Sequence, residues 1–157
     1  MTKGNLEVRV KLLEGVIMIG AIIAKRSVEG GIDALNRRDI PGFMGAWAED
    51  AEWFYPGTLS VSGRFQGKPA VRGWFDHLML QFPQLKFSLH SVSIAHLFDV
   101  VGENVAAAHW DISVTNRHGY TLGYSGVTML TIRKGKVVSG SDYLFAANDE
   151  IRRGWGE

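Results

Sequence analysis

The sequence predicts an α+β fold in which early helices are covered by a curved, mainly antiparallel sheet. Apolar residues recur at helical spacing in the first half of the chain, most clearly as Val71, Trp74, Phe75, Leu78, Met79 and Phe82. From about residue 85, four strand-like segments follow one another, at 85–98, 104–116, 120–133 and 136–145. They are separated by turn signals at Gly102, His118-Gly119 and Lys134-Gly135. Such segments pair in sequence order, and a sheet with helices on one side must bury one face against them. If the sheet curves strongly, it encloses a cavity.

Two helical stripes, Leu6, Val10, Leu13, Ile17 and Leu12, Val16, Ile19, Ile23, merge into one broad apolar surface, so a largely covered helix is expected over Leu6 to Lys25. Asn5 is its candidate cap. Gly30 and Gly31 predict a break before a second helical piece, Ile32 to Arg38. Asp39 then caps a short helix with Pro41 in its first turn, burying Phe43, Met44 and Trp47. Ala51 to Tyr55 is an aromatic strand stopped by Pro56-Gly57. Thr58 to Gly67 is a polar loop with at most one short strand. Pro69 opens the Val71 to Phe82 helix and Pro83 closes it. The stretch from Asn148 to Glu157 is polar and is expected to fray.

At 157 residues and 46% hydrophobic content the chain fits one domain with a sizeable core. Seventeen basic against sixteen acidic side chains give a net charge of +1 with no basic run, which argues against a nucleic-acid partner. The chain has no cysteine, and so no disulfide, thiolate nucleophile or Cys-based zinc site. Gly15 to Ala24 is uncharged but shorter than the ~20 residues a membrane helix needs. Glu7, Glu14 and the lack of an A-x-A-like site argue against a signal peptide. A cytoplasmic protein without a membrane partner is expected.

The stretch Val105 to Asn116 alternates strictly. Val105, Ala107, His109, Asp111, Ser113 and Thr115 share one side, and Ala106, Ala108, Trp110, Ile112 and Val114 share the other. The titratable side is read as the pocket lining. The Trp110, Ile112 and Val114 side is read as an outer patch that a homodimer would cover. Leu6 to Lys25 is the other candidate to cover it.

Three stretches, ALNRRDIPGFMGAWAEDAEWFYPG, SGRFQGKPAVRGWF and GVTMLTIRKGKVVSGSDYLF, together resemble the nuclear transport factor 2-like superfamily and, within it, the SnoaL-like proteins. The resemblance covers about Ser27 to Asn148. It implies a cone-shaped α+β barrel, a cavity between sheet and helices, and dimerisation through the sheet. It also divides the chain into an N-terminal helical extension at 1–26, the domain at 27–148 and a polar tail at 149–157. The superfamily includes isomerases, dehydratases, cyclases, epoxide hydrolases and plain binding or docking domains, so the site residues must decide the activity.

His109, Asp111 and Asp142 are similar to the arrangement of limonene-epoxide-hydrolase-like enzymes, in which Arg-x-Asp on one strand faces an Asp on the last. The arginine is His109 here, and the residues that hold the attacking water there correspond to Trp53 and Tyr55, so epoxide hydrolysis is not carried over. Nor is ketosteroid isomerisation, whose base falls at Tyr55 and whose oxyanion-hole acid falls near Thr128.

Two carboxylates and an imidazole in an apolar cavity form an acid/base set, because burial raises carboxylate pKa values and like charges push them apart. In this reading Asp142 is the general base, Asp111 its orienting or acid partner, and His109 polarises a substrate oxygen. Trp47, Trp53, Tyr55 and Trp74 are the candidate walls for a small hydrophobic ligand. The plain alternative is that both aspartates only accept structural hydrogen bonds and that the aromatics are core. His77, His90, His96 and His118 offer no compact ligand set. On a straight strand at ~3.3 Å per residue, His90 and His96 stand roughly 20 Å apart, so neither a metal nor another cofactor is expected. Two functions stand open: an isomerase, cyclase, dehydratase or hydrolase using aspartate acid/base chemistry, or a non-catalytic ligand-binding or dimerisation module.

Overall fold

The structure, a computed structural model, describes Glu7, residues 19–97 and residues 102–157. The expected cap Asn5 and most of the first expected helix lie outside the described residues.

Helix α1 (Ile19–Asn36) runs without a break through Gly30 and Gly31. The reason is tertiary: Gly31 lies against the ring of Phe43, and Ala24, Val28, Ala34 and Leu35 are buried on the same helix. That packing outweighs a glycine cost of about 1 kcal/mol each. Coverage fails further up, where Ile19, Ile22 and Ile23 are about half exposed. Asn36 closes the helix by pairing with β-strand backbone, its amide donating to the Phe87 carbonyl at 3.0 Å and its carbonyl accepting from the Phe87 N–H at 2.7 Å. Arg38 then adopts φ of 60°, and its guanidinium donates to the carbonyls of Met79 and Phe82. Asp39 caps α2 (Ile40–Gly45) by accepting from the Gly42 N–H at 2.9 Å, with Pro41 in the first turn as expected.

Strand β1 (Trp47–Tyr55) begins earlier than its aromatic core suggests. Strand β2 (Gly63–Gln66) is the one short strand of the glycine-punctuated loop, and α3 (Lys68–Gln81) buries Val71, Trp74, Phe75, Leu78 and Met79 as its spacing requires. The meander follows as β3 (Gln84–Ile94), β4 (Glu103–Thr115), β5 (Thr121–Arg133) and β6 (Lys136–Phe145). The sheet order is β2-β1-β6-β5-β4-β3, with β1 parallel to β6 and the other pairs antiparallel. The sheet is curved and unclosed, and the helices sit on its concave side, the α+β cone that the sequence predicts.

The polar C-terminal stretch does not fray as expected. It forms α4 (Asn148–Trp155), with acidic residues in the first turn, basic residues in the last and Gly156 left-handed at φ of 82°. Ile151 and Trp155 are buried, Phe82 meets the Trp155 ring at 5.1 Å, and the Gly154 carbonyl accepts from Gln81 and Asn116, each at 3.0 Å. Two apolar residues one turn apart suffice to dock a helix whose average composition is polar.

The faces of β4 are the reverse of the expectation. Ala106, Ala108, Trp110, Ile112 and Val114 are buried toward the helices, while His109 and Asp111 stand on the outside of the sheet. Among the described residues the helices cover one side of this sheet, so the row carrying Trp110, Ile112 and Val114 takes that side, and no outer patch is made from it.

Candidate functional site

Between the helices and the inner sheet face lies a cavity of about 80 Å³. Its apolar wall comes from Val28, Ile32 and Leu35 of α1, Phe43 of α2, Trp74, Phe75 and Leu78 of α3, and Phe87, Trp110 and Ile112 of the meander. Trp47, Trp53, Tyr55 and Trp74, the four aromatics singled out in the sequence, all line it. Their rings interlock: Trp53 lies 5.3 Å from Trp74 and 5.1 Å from Phe75, and Tyr55 lies 4.9 Å from Trp74. Gly140 makes this possible, since a Cβ there would sit 3.0 Å from both Trp47 and Trp53.

One ionisable carboxyl faces this wall among the described residues, that of Asp142. It is buried on β6, opposite Thr128 of β5. The Thr128 hydroxyl donates to Asp142 Oδ1 at 2.5 Å and accepts from the Trp110 Nε1–H at 2.8 Å. An indole N–H can only donate. The Thr128 oxygen must therefore accept from Trp110 and send its own proton to Asp142, so a proton on the carboxyl belongs on Oδ2. Trp110 reaches Thr128 because residue 126 is glycine: a Cβ there would meet the indole at 2.5 Å.

Burial pushes the Asp142 pKa up to about 7, against the lowering effect of the Thr128 hydrogen bond. The neighbouring phenols do not compete for this role. Burial raises Tyr55 to about 12 and Tyr124 well above its ordinary value, and the nearby Asp142 charge adds to both. Tyr55 is held in place by Trp155, whose Nε1–H donates to its hydroxyl at 3.1 Å. Among the described residues of this wall, Asp142 alone is placed near neutrality.

Asp111 and His109 do not join Asp142. Asp111 lies across the sheet, half exposed, accepting from the Ser125 hydroxyl at 2.6 Å and meeting His90 Nε2 at 2.7 Å. These two hydrogen bonds, Ser125 first, hold its carboxyl below the ordinary aspartate value. The His109 ring lies against His90, centroids 4.9 Å apart and tilted by 43°. The expected set of two carboxylates and an imidazole is thus split by the thickness of the sheet. Trp110, Tyr124 and Thr128 take the places beside Asp142. Their signal in the sequence was parity: once Asp142 is placed inside, register sets Thr128 opposite it and the even-numbered residues of β4 and β5 follow.

With the helix-covered curved sheet and its cavity in view, comparison with known proteins defines the class. The chain belongs to the SnoaL-like domain family, whose profile matches residues 28–140. No curated protein matches the chain. Among solved structures it resembles a nuclear transport factor 2-like protein from Burkholderia pseudomallei, with a TM-score of 0.68, 20% identity and coverage of 84% of this chain and 96% of that one. A candidate isomerase from Bacillus subtilis shares the fold with a TM-score of 0.71 and 18% identity, over 88% and 96% of the two chains. TerC, crystallised with polyporic acid, does so with a TM-score of 0.65 and 17% identity, over 84% and 97%. These identities speak for the fold.

Proposed function

We propose that this protein binds a small hydrophobic molecule in the aromatic cavity and moves a proton on it with Asp142 as the acid/base group. The observation that carries the proposal is the placement of one carboxyl, with a pKa of about 7, in a mostly apolar wall. A group that titrates near the working pH can take a proton in one step and return it in the next. The Thr128 and Trp110 chain supports this role by occupying Oδ1 and leaving Oδ2 to exchange the proton.

A single shuttling carboxyl fits an isomerase or cyclase type of reaction, in which the same group removes and returns a proton. Water addition, which calls for a base and a separate acid, loses its support now that Asp111 lies outside. The candidate isomerase and the polyporic acid complex among the structural relatives are consistent with a guest in this space. The exposure of Asp111 also favours a second reading, a non-catalytic binding module in which Asp142 only accepts a structural hydrogen bond.

Asp142→Asn separates the two. The apolar probe α-methylstyrene should bind wild type and variant with similar affinity, and at pH 8 the variant should melt above wild type because it no longer buries a charge. A variant that melts well below wild type at pH 8 and still binds the probe makes Asp142 a structural acceptor and removes the catalytic assignment.

We further propose that two copies pair through the outer sheet face. Met129, Tyr143 and Phe145 are large apolar residues exposed there, and register brings Tyr143 beside Val127.

A further inference from the structure

Trp53 is 3% exposed and lines the cavity, yet its indole Nε1–H has no hydrogen-bond partner among the described residues. Three other buried indoles are paired: Trp74 and Trp110, which line the same cavity, donate to the Val61 carbonyl and to Thr128, and Trp155 donates to Tyr55. A buried donor left unpaired is costly, and native interiors seldom keep one without a reason. The cavity that Trp53 lines offers one.

We infer that the guest carries an oxygen acceptor, a carbonyl or ether on a compact ring, and that Trp53 Nε1–H is the donor that recognises it. The inference rests on the reading of the cavity as a small-molecule site and adds the chemistry of one edge of the guest. The sheet register supports the spacing. Trp53 pairs with Gly140, two residues from Asp142 on the same inner row of β6. Two residues along the strand and one strand across put the two backbone positions about 8 Å apart, a span that one substituted ring bridges. A guest that reaches both residues therefore presents its oxygen to Trp53 and its exchangeable proton to Asp142. Trp53 is then a specificity-determining residue: it discriminates oxygenated rings from hydrocarbons of the same shape, which the surrounding aromatics alone do not.

The test uses acetophenone and α-methylstyrene, which differ by a carbonyl oxygen against a methylene group in nearly the same outline. Dissociation constants for both are measured with wild type and Trp53→Phe, and the indole N–H resonance of Trp53 is followed in the wild type by 15N-edited NMR. Acetophenone should gain on α-methylstyrene in the wild type relative to the variant by roughly threefold to tenfold, the range of one net hydrogen bond. The Trp53 N–H signal should move downfield with acetophenone and not with α-methylstyrene. An unchanged affinity ratio in a folded variant, or an indole signal that responds alike to both probes, overturns the inference while leaving the cavity reading intact. Should Trp53→Phe fail to fold, the wild-type resonance decides alone. Binding of neither probe overturns the cavity reading and this inference with it.

Discussion

Asp142 carries a linkage that can be read from stability. Its folded pKa of about 7 lies above the unfolded ~3.9, so between those values the folded chain holds a proton that the unfolded chain has lost. The associated stability is fully present below the unfolded value and falls as pH rises through the folded one, by ~1.4 kcal/mol per pH unit across the window. Asp142→Asn cannot titrate. Its melting temperature should therefore gain on wild type between pH 4 and pH 7 and stay ahead at pH 8, a series that differential scanning calorimetry resolves. A wild type that gains on the variant as pH rises contradicts the burial argument. At this scale the sequence was partly legible. Asp142 stood out as a carboxyl in an apolar row, and Trp47, Trp53, Tyr55 and Trp74 stood out as aromatics at strand and helix positions. His109 and Asp111 misled because period two divides a strand into faces without saying which face is inside. The weight of Trp110, Ile112 and Val114 was the better guide, since the covered side of a one-sided sheet takes the apolar row.

Among the elements, α4 shows how a short helix can complete a site. Trp155 is buried against Phe82, sits 5.9 Å from Tyr55 by ring centroid, and donates its indole N–H to the Tyr55 hydroxyl. Trp155→Ala should destabilise the fold by roughly 3–5 kcal/mol through lost burial and the void left behind. It should also weaken α-methylstyrene binding by loosening Tyr55. Chemical denaturation together with probe titration checks both, and a loss below about 1 kcal/mol would mean that the helix is only loosely docked. Composition concealed this element: a stretch in which Asn148, Asp149, Glu150, Arg152 and Arg153 outnumber the apolar residues reads as tail, and only Ile151 and Trp155 mark its buried side. The reverse happened at Gly30 and Gly31, where local propensity argued for a break and the packing of α1 on Phe43 kept the helix whole. The α3 helix and the order of the strands β3 to β6 were legible, because their periodicity is strong and their turns are marked by Pro83 and by glycine.

For the whole molecule, the curved sheet sets two surfaces back to back: an inner aromatic cavity with one carboxyl, and an outer face with Met129, Tyr143 and Phe145 exposed and the Asp111 to His90 pair beside them. An isologous pair through the outer face covers those side chains twice over by symmetry. Sedimentation at micromolar concentration should show a dimer, and the double change Tyr143→Glu with Phe145→Arg should give a folded monomer; a monomeric wild type removes the dimer proposal. The overall architecture was legible because helices early and strands late leave few ways to bury one sheet face. The pairing of site residues across strands was not, because it depends on register and on the β3 irregularity between Leu89 and Ser91 that brings His90 to Asp111. The account as a whole turns on the state of one buried carboxyl, and the most direct measurement is a 13C NMR titration of the Asp142 side chain. A midpoint near 7 is the expected result; a midpoint at or below the ~3.9 of a free aspartate would contradict it.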